Sequence, residues 1–296
     1  MKLLVAGGTG FIGSVLCRTL IERGHTLIVL TRKPSAYPET SSIQFIPWES
    51  EQLRRGLMFD AVVNLAGQVP AIKRWSSRQK QEILVSRINT TRRVVKAIGE
   101  QAQKSSVLIN ASAIGYYGDR TNEELDEKDR AGTGFLADLC QMWEAEAQRA
   151  ESFGVRVVRL RIGFVLGPNG GALAKMAPVF RCFLGGVIGH GRQWVSWIHL
   201  KDVVGLIEWA LLHPQIKGAL NATAPYPATM RGFCEELAYT LHRPLWLGVP
   251  APILRVMLAE MAEVVLTGQR VLPRVALDSG YSFHYPQLRE ALKACF

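Results

Sequence analysis

The stretch KLLVAGGTGFIGSVLCRTL, residues 2–20, decides how the rest of the chain is read. Lys2–Ala6 is a short apolar run of the kind buried on both faces of a sheet. Glycines follow at 7, 8, 10 and 13, and from Ile12 to Arg23 apolar residues recur at helical spacing. Gly24 then suits the position just past a helix end. Gly8-Thr9-Gly10-Phe11-Ile12-Gly13 fits G-x-G-x-x-G, and Gly7, Gly10 and Gly13 also fit G-x-x-G-x-x-G. Early glycines permit a tight turn, one lets the main chain approach a pyrophosphate, and the last lets helix and strand pack closely. The free N–H groups and positive end of the helix then point at phosphates. Gly7, Thr9, Gly10, Phe11, Ile12 and Gly13 form the predicted phosphate-binding set.

Outward from this unit the chain keeps alternating. HTLIVLTR reads as a second strand, SIQFIPW as a third and DAVVNLAG as a fourth. An amphipathic helix is predicted over Arg78–Gln103, with its basic side chains facing water. VLINASAIGYYG is a fifth strand entering a loop, Gly134–Ser152 a helix, and VRVVRLRIGFVLGP a sixth strand. Strands and helices in this rhythm pair in parallel through right-handed crossovers, which gives an α/β, Rossmann-type doubly wound sheet. After Pro168 glycine and proline accumulate and the rhythm breaks. The expected division is a dinucleotide-binding domain over 1–167, a return to it over 199–220, and a smaller substrate lobe from 168–198 and 221–296.

A carboxylate about 20 residues past the glycines would bind a ribose 2′-hydroxyl and select NAD. The second strand ends instead in Thr31-Arg32-Lys33. Arg32 can pair with a 2′-phosphate through two parallel hydrogen bonds, and Thr31 can add a hydroxyl. The expected cofactor is NADP(H), the alternative for Arg32 being an exposed loop cation.

The 296 residues carry a formal charge of +10, are 48% hydrophobic and 20% charged, and include five cysteines. The charge favours anionic partners without choosing among them. It is spread along the chain with no basic tail, so a solvated basic surface is a plainer reading than a nucleic-acid face. Cys17, Cys140, Cys182, Cys234 and Cys295 show no metal-like spacing and suit reduced thiols. No metal is assigned. No apolar run approaches the ~20 residues of a membrane span, and only Met1 and Lys2 precede the first strand, so the expectation is a cytoplasmic protein without a cleaved leader, with an organelle address left open. A small-molecule substrate is the expected partner, with a homodimer left open.

GGTGFIG, NLAG at Asn64–Gly67, Asn89 in RINTT, ASAIGYYG, RIGFVLGP and WIHLKDVV together resemble extended short-chain dehydrogenases/reductases, the group that includes nucleotide-sugar epimerases and dehydratases. Order and spacing are most similar to a little-characterised epimerase-family branch with a C-terminal domain of unknown function. RPLWLGVPAPILRVMLAEM and GQRVLPRVALDSGYSFHYPQLREAL are similar to that terminal domain, so the resemblance covers nearly the whole chain. It implies that Gly7, Gly10, Phe11 and Ile12 lie along the pyrophosphate, with Thr31 and Arg32 at the 2′-phosphate. It also implies that Leu65, Ala66 and Gly67 pass beside the nicotinamide-side ribose and that Gly163 to Pro168 border the nicotinamide.

The family's catalytic Tyr-x-x-x-Lys has no counterpart. None of the seven tyrosines has lysine four residues later, and the helix that should carry the pair, GFLADLCQMWEAEAQ, holds neither residue type. Depending on register, Leu139/Trp143 or Cys140/Glu144 takes the two places. Four residues are the candidate substitutes. Ser112 either hydrogen-bonds a substrate oxygen or caps the strand end. Tyr116 and Tyr117 either donate a proton or pack and stack, and Tyr116-x-x-x-Arg120 is the nearest mimic of the missing pair. Glu144 is either a surface carboxylate or, if desolvated, an acid or base. Lys175, His190, Arg192 and Trp194 could line a substrate cleft, Arg270 could reach a substrate anion, and Asp202 is expected to pack structurally. Three functions follow: an NADP-dependent oxidoreductase or epimerase-like enzyme on a small polar substrate, a catalytically silent NADPH sensor, or, with only its charge in favour, a nucleic-acid binder.

Overall fold

Leu3 to Ala6 are wholly buried, and their side chains alternate between two cores. Leu3 and Val5 join one cluster, and Leu4 and Ala6 join the other. A strand flanked by helices on both faces requires this, because period-two alternation sends successive side chains to opposite sides. The computed structural model describes residues 1–54, 56–67, 76–168, 170–246, 248–258 and 262–296.

The first elements are β1 (Lys2–Ala6), α1 (Phe11–Glu22), β2 (Thr26–Thr31), β3 (Ile43–Pro47), α2 (Glu51–Arg54) and β4 (Ala61–Asn64). Next come α3 (Ser77–Glu100), β5 (Val107–Ala113), β6 (Glu124–Leu125), α4 (Phe135–Gln148), β7 (Arg156–Ile162) and β8 (Phe164–Leu166). They continue as α5 (Leu173–Arg181), β9 (Trp194–Val195), β10 (Trp197–His199), α6 (Leu200–Leu212), β11 (Gly218–Ala222), β12 (Ala228–Thr229) and α7 (Met230–Leu241). The last are α8 (Ala251–Leu258), α9 (Ala262–Leu266), β13 (Arg270–Val271), α10 (Arg274–Asp278) and α11 (Leu288–Lys293).

Seven strands form one parallel sheet in the order β11-β7-β5-β4-β1-β2-β3. The strand order reverses at β1 and β4, the switch point where doubly wound sheets bind ligands beyond their carboxyl ends. Helices α1 and α6 cover one face, through Leu16, Leu20, Val203 and Ile207. Helices α3 and α4 cover the other, through Val94, Val95, Ile98 and Ala147. The long helix begins one residue before the predicted start because Ser76 caps it, its Oγ accepting from Gln79 N at 3.2 Å.

The sixth predicted strand is two strands. It breaks at Gly163, where a Cβ would stand 2.3 Å from the Ser196 carbonyl oxygen. Beyond it β8 leaves the large sheet and pairs with β10. A third core, around Trp197, Phe180, Phe233 and Leu292, belongs to the remaining helices. Asp202 joins this lobe to the sheet: its carboxylate accepts from His284 N at 2.7 Å and Tyr285 N at 3.0 Å.

His199 caps α6, its Nδ1 accepting from Lys201 N at 3.2 Å, so the proton sits on Nε2. That Nε2 is buried without a hydrogen-bond partner among the described residues, with the Tyr285 ring tilted against the imidazole at a centroid distance of 4.1 Å. Burial first, then the charges of Lys201 and His284, lower its pKa to about 4. The unfolded chain therefore takes up a proton near pH 6.5 that the folded chain refuses. Stability from this residue is full above pH 6.5 and falls by up to about 3 kcal/mol as the pH drops toward 4. The substitution His199→Asn keeps a capping side chain and removes the titration. Urea midpoints measured across pH 7.5 to 4.5 will show a smaller loss in that variant than in the parent protein.

Candidate active site and dinucleotide cradle

The turn after β1 is closed to side chains. Gly7 lies at φ +81°, and a Cβ there would stand 2.7 Å from the Leu65 carbonyl carbon. A Cβ on Gly13 would stand 2.1 Å from Gly7 O, so α1 approaches the turn as closely as backbone allows. Gly10 N donates to Gly7 O at 3.0 Å, and Gly10 itself caps α1 with extended backbone and no side-chain bond to the first turn. The helix thus offers an uncapped, positive N-terminus framed by main chain, and such a cradle fits a diphosphate. Thr9 and Gly10 are exposed, and Phe11 and Ile12 half-buried. The Phe11 ring packs away from the cradle, against the glycines at 167, 170 and 171.

The neighbouring strand ends lie at the same level, with Ala6 in register with both Leu30 and Asn64. At the end of β2, Thr31 is buried and its Oγ1 accepts from Lys33 N at 3.4 Å, whereas Arg32 is exposed and makes no ion pair among the described residues. Beyond β4, Leu65 N donates to Ala6 O and Ala66 N to Asn64 Oδ1 at 3.2 Å. Asn64 Nδ2 in turn donates to Thr91 Oγ1 at 3.0 Å and Asn110 Oδ1 at 2.6 Å, and Trp143 Nε1 donates to Thr91 at 2.9 Å. This buried chain fixes the Leu65–Gly67 loop against both α3 and α4. Gly163 is half-buried and its N–H donates to Ala222 O.

At the end of β5 the structure settles the register of α4. Cys140 and Glu144, one turn apart on one helical face, lie over the strand end. Leu139 packs on Ile83, and Trp143 is held by Thr91. Ser112 is in register with Arg161 on β7, which puts both side chains on the side of α4. Ser112 Oγ donates to Glu144 Oε1 at 2.7 Å. Arg161 clamps the same carboxylate through Nε at 2.9 Å and Nη2 at 3.0 Å, while Arg159 Nη1 reaches it at 3.3 Å. The third nitrogen of Arg161 donates to the Tyr117 hydroxyl at 2.9 Å, and that hydroxyl donates to Asn221 Oδ1 at 2.7 Å.

Glu144 and Arg161 are each 2% exposed. Glu144 is therefore no surface carboxylate, and it is not a free acid or base either. Burial works against the charge on Arg161, but its hydrogen bonds to Glu144 and that carboxylate's charge outweigh it and raise its pKa. Burial pushes the Tyr117 hydroxyl up and the Cys140 thiol to about 11, so neither ionises near neutrality.

Of the four candidates named from the sequence, Ser112, Tyr117 and Glu144 are brought together and spend their polar atoms on one another. Tyr116 differs. Its ring centroid lies 3.4 Å from the guanidinium carbon of Arg161, it is half-buried, and its hydroxyl makes no hydrogen bond among the described residues. Arg120, the partner expected for it, points elsewhere, to Glu123 and the Arg130 carbonyl. Arg161 was not singled out from the sequence. The signal was two arginines, 159 and 161, two apart and so on one face of β7, with the strand's third arginine, 156, on the other.

The softer candidates disperse. Lys175 and His190 are exposed, and His190 Nδ1 accepts from Arg192 N at 3.0 Å. Arg270 pairs with Glu124 at 2.9 Å and stacks on Trp194, whose indole N–H donates to Asn122. Among the described residues no group of three or more His, Cys, Asp or Glu side chains gathers to hold a metal ion, and no helix is long and apolar enough to cross a membrane.

A parallel sheet of this order, with a glycine cradle at its switch point and a cluster of polar side chains beyond β5 and β7, defines a dinucleotide-binding protein of the extended short-chain dehydrogenase/reductase type. The profile of the NAD dependent epimerase/dehydratase family matches residues 3–222, and that of a domain of unknown function, DUF1731, matches residues 249–295. The chain belongs to the NAD dependent epimerase/dehydratase family. It is 43% identical to the Arabidopsis thaliana epimerase family protein SDR39U1 homolog, chloroplastic, over 99% of this chain and 86% of that one. It is 38% identical to the Bacillus subtilis epimerase family protein YfhF over 99% and 97% of the two chains. A crystal structure of human epimerase family protein SDR39U1 (isoform 2) with NADPH superposes with a TM-score of 0.90 at 35% identity, covering 100% of this chain and 99% of that one.

Proposed function

We propose that this protein is an NADP(H)-dependent oxidoreductase or epimerase-like enzyme acting on a small polar substrate, with Tyr116 in place of the missing Tyr–Lys pair as its proton donor. When bound, the nicotinamide supplies or accepts a hydride. The chain's own residues bind and orient the reactants and move the proton. Main-chain N–H groups over Gly7–Gly13 hold the diphosphate, and the Arg32 fork takes the 2′-phosphate. The observation that carries the coenzyme reading is the end of β2, where an arginine with no ion pair among the described residues stands in place of a carboxylate. The human relative crystallised with NADPH supports it. The proton-donor reading rests on the Tyr116 hydroxyl, without a hydrogen bond among the described residues while Ser112, Tyr117 and Glu144 are hydrogen-bonded, with the Arg161 cation against its ring. All five cysteines are free thiols, which suits a reducing compartment, and the cytoplasm is our proposed setting.

NADPH binding followed by coenzyme fluorescence tests the first part. The protein will prefer NADPH to NADH, and Arg32→Glu will weaken NADPH roughly 10- to 100-fold, the worth of a charge-assisted hydrogen-bonded contact. Equal affinity for NADH defeats the assignment of Arg32. Turnover of NADPH against a panel of small carbonyl substrates tests the second. Tyr116→Phe will lower kcat about 100-fold, the low end for general acid catalysis, and leave NADPH affinity unchanged.

A second reading has one observation in its favour. Where the Tyr–Lys pair belongs, the protein carries a closed, buried network of Ser112, Glu144, Arg161 and Tyr117. A protein that binds NADPH tightly yet turns over no panel member is a coenzyme-responsive regulator, and Tyr116→Phe will then be silent.

A further inference from the structure

Among the described residues three other than glycine adopt left-handed backbone, and two of them, Phe183 at φ +63° and His242 at φ +54°, lie at the ends of α5 and α7. Glycine is the usual residue at such a position, because a Cβ is strained there. Phe183 N donates to Phe180 O at 2.9 Å and Leu184 N to Val179 O at 3.0 Å, so α5 is closed in the ordinary way but with a phenyl group where none is needed. The α7 end makes the same pair of bonds, His242 N to Tyr239 O at 3.1 Å and Arg243 N to Ala238 O at 2.9 Å. Strain of this kind persists only where the surroundings hold it, and it gathers at functional sites.

The two helix ends are stitched into one ledge. Arg243 Nε donates to Arg181 O at 3.2 Å, Trp246 Nε1 to Phe183 O at 2.9 Å and Val249 N to Val187 O at 2.9 Å. The side chains this frame displays are large, apolar and in water: Phe183 is 50% exposed, Leu184 59% and Trp246 69%. Two guanidinium groups lie beside them against aromatic rings. Arg243 is 4.6 Å from the Phe183 centroid, and Arg181 is 5.4 Å from that of Phe296. Neither arginine forms an ion pair among the described residues. Residues 152–201 and 237–259 contain no Asp or Glu, so neither segment supplies a carboxylate.

We propose that this ledge docks an acidic, amphipathic segment of a partner protein. Carboxylates of the partner lie against the edges of Arg181 and Arg243, and its apolar side chains cover Phe183, Leu184 and Trp246. The charge missing from this side is negative, which sets the sign of the partner. Its class follows from the residue types. Trp, Phe and Arg without Lys make up the centre of a protein interface, whereas a lipid surface is served as well by lysine, and the ledge holds none. Each fork is laid on a ring, so little side-chain freedom is lost when a carboxylate binds. None of these residues belongs to the cradle or to the network beyond β5, and the surface is independent of the enzyme reading.

A phage-displayed library of random peptides, panned against the full chain, supplies the probe. The expected survivors combine Asp or Glu with Leu, Phe or Trp at helical spacing. The best of them, synthesised and labelled, is titrated by fluorescence anisotropy. Its affinity should fall at least about tenfold in Phe183→Gly and in Arg181→Glu, and should weaken with added salt. Phe183→Gly should melt within a few degrees of the parent protein, because relief of the left-handed strain offsets the looser unfolded chain. A much larger fall would mean that the phenyl group serves the fold, and overturns the proposal. So do a library that yields no acidic survivors and survivors that bind both variants as tightly as the parent protein. Flotation of the parent protein with phosphatidylglycerol vesicles, lost in both variants, would assign the ledge to a lipid surface and overturns it too.

Discussion

Arg161→Met will lower the unfolding free energy by about 3–5 kcal/mol, the usual cost of removing one member of a buried ion pair. The side chain supplies two hydrogen bonds to Glu144 and one to Tyr117, and both charged groups are 2% exposed. Without it Glu144 keeps Ser112 and the more distant, less buried Arg159, a partial substitute that keeps the loss finite. The double variant Glu144→Leu/Arg161→Met removes both charges and leaves none stranded. It will be more stable than the sum of the two single losses by at least about 1 kcal/mol, because contacting pairs are not additive. Urea unfolding of the four proteins measures this. Additive losses would mean that the pair makes no mutual contribution and that the network is not the locked unit described.

Gly13→Ala will disable the cradle. Its methyl group would stand 2.1 Å from Gly7 O and 2.7 Å from Gly8 Cα, both main chain, so no side-chain rotation relieves the clash. Either α1 shifts outward or the turn opens, and both move the N–H groups proposed above to hold the diphosphate. Overpacking of this kind costs about 2–3 kcal/mol. Misplacing binding groups by about 1 Å costs on the order of a hundredfold, so NADPH affinity should fall at least that far. Gly24→Ala is the control. Unlike the helical Gly13 it has a left-handed backbone, at φ +78°, but a Cβ there meets nothing within 4 Å. That variant will lose about 1 kcal/mol of stability and no coenzyme affinity. Equal loss of affinity in both variants would show that the effect is general destabilisation rather than closure of the cradle.

Residues 2–24 and the alternation that follows were enough to determine the doubly wound sheet and the glycine turn at its switch point. Buried parallel strands, helix periods and glycine requirements are local: each depends on neighbours within a few residues, and the chain displays them directly. The arginine at the end of β2 was legible for the same reason. That GFLADLCQMWEAEAQ, where a Tyr-x-x-x-Lys is expected, holds neither tyrosine nor lysine was legible too.

What took that place was decided only by tertiary structure. Glu144 reads as a surface carboxylate on an amphipathic helix until β7 brings Arg161 beneath it from 17 positions away. Tyr117 reads as a possible acid until Asn221, 104 positions on, accepts a hydrogen bond from its hydroxyl. Arg87 belongs to a helix whose other arginines face water, and its half-buried place appears only when Gly67 and Trp143 close over it. Electrostatic fate depends on which groups share a dry space, and nothing in the order of residues states how strands and helices distant in sequence will meet. The sequence by itself determined the sheet and the glycine turn at its switch point; the packed structure decided which of the charges beyond that turn are spent on one another.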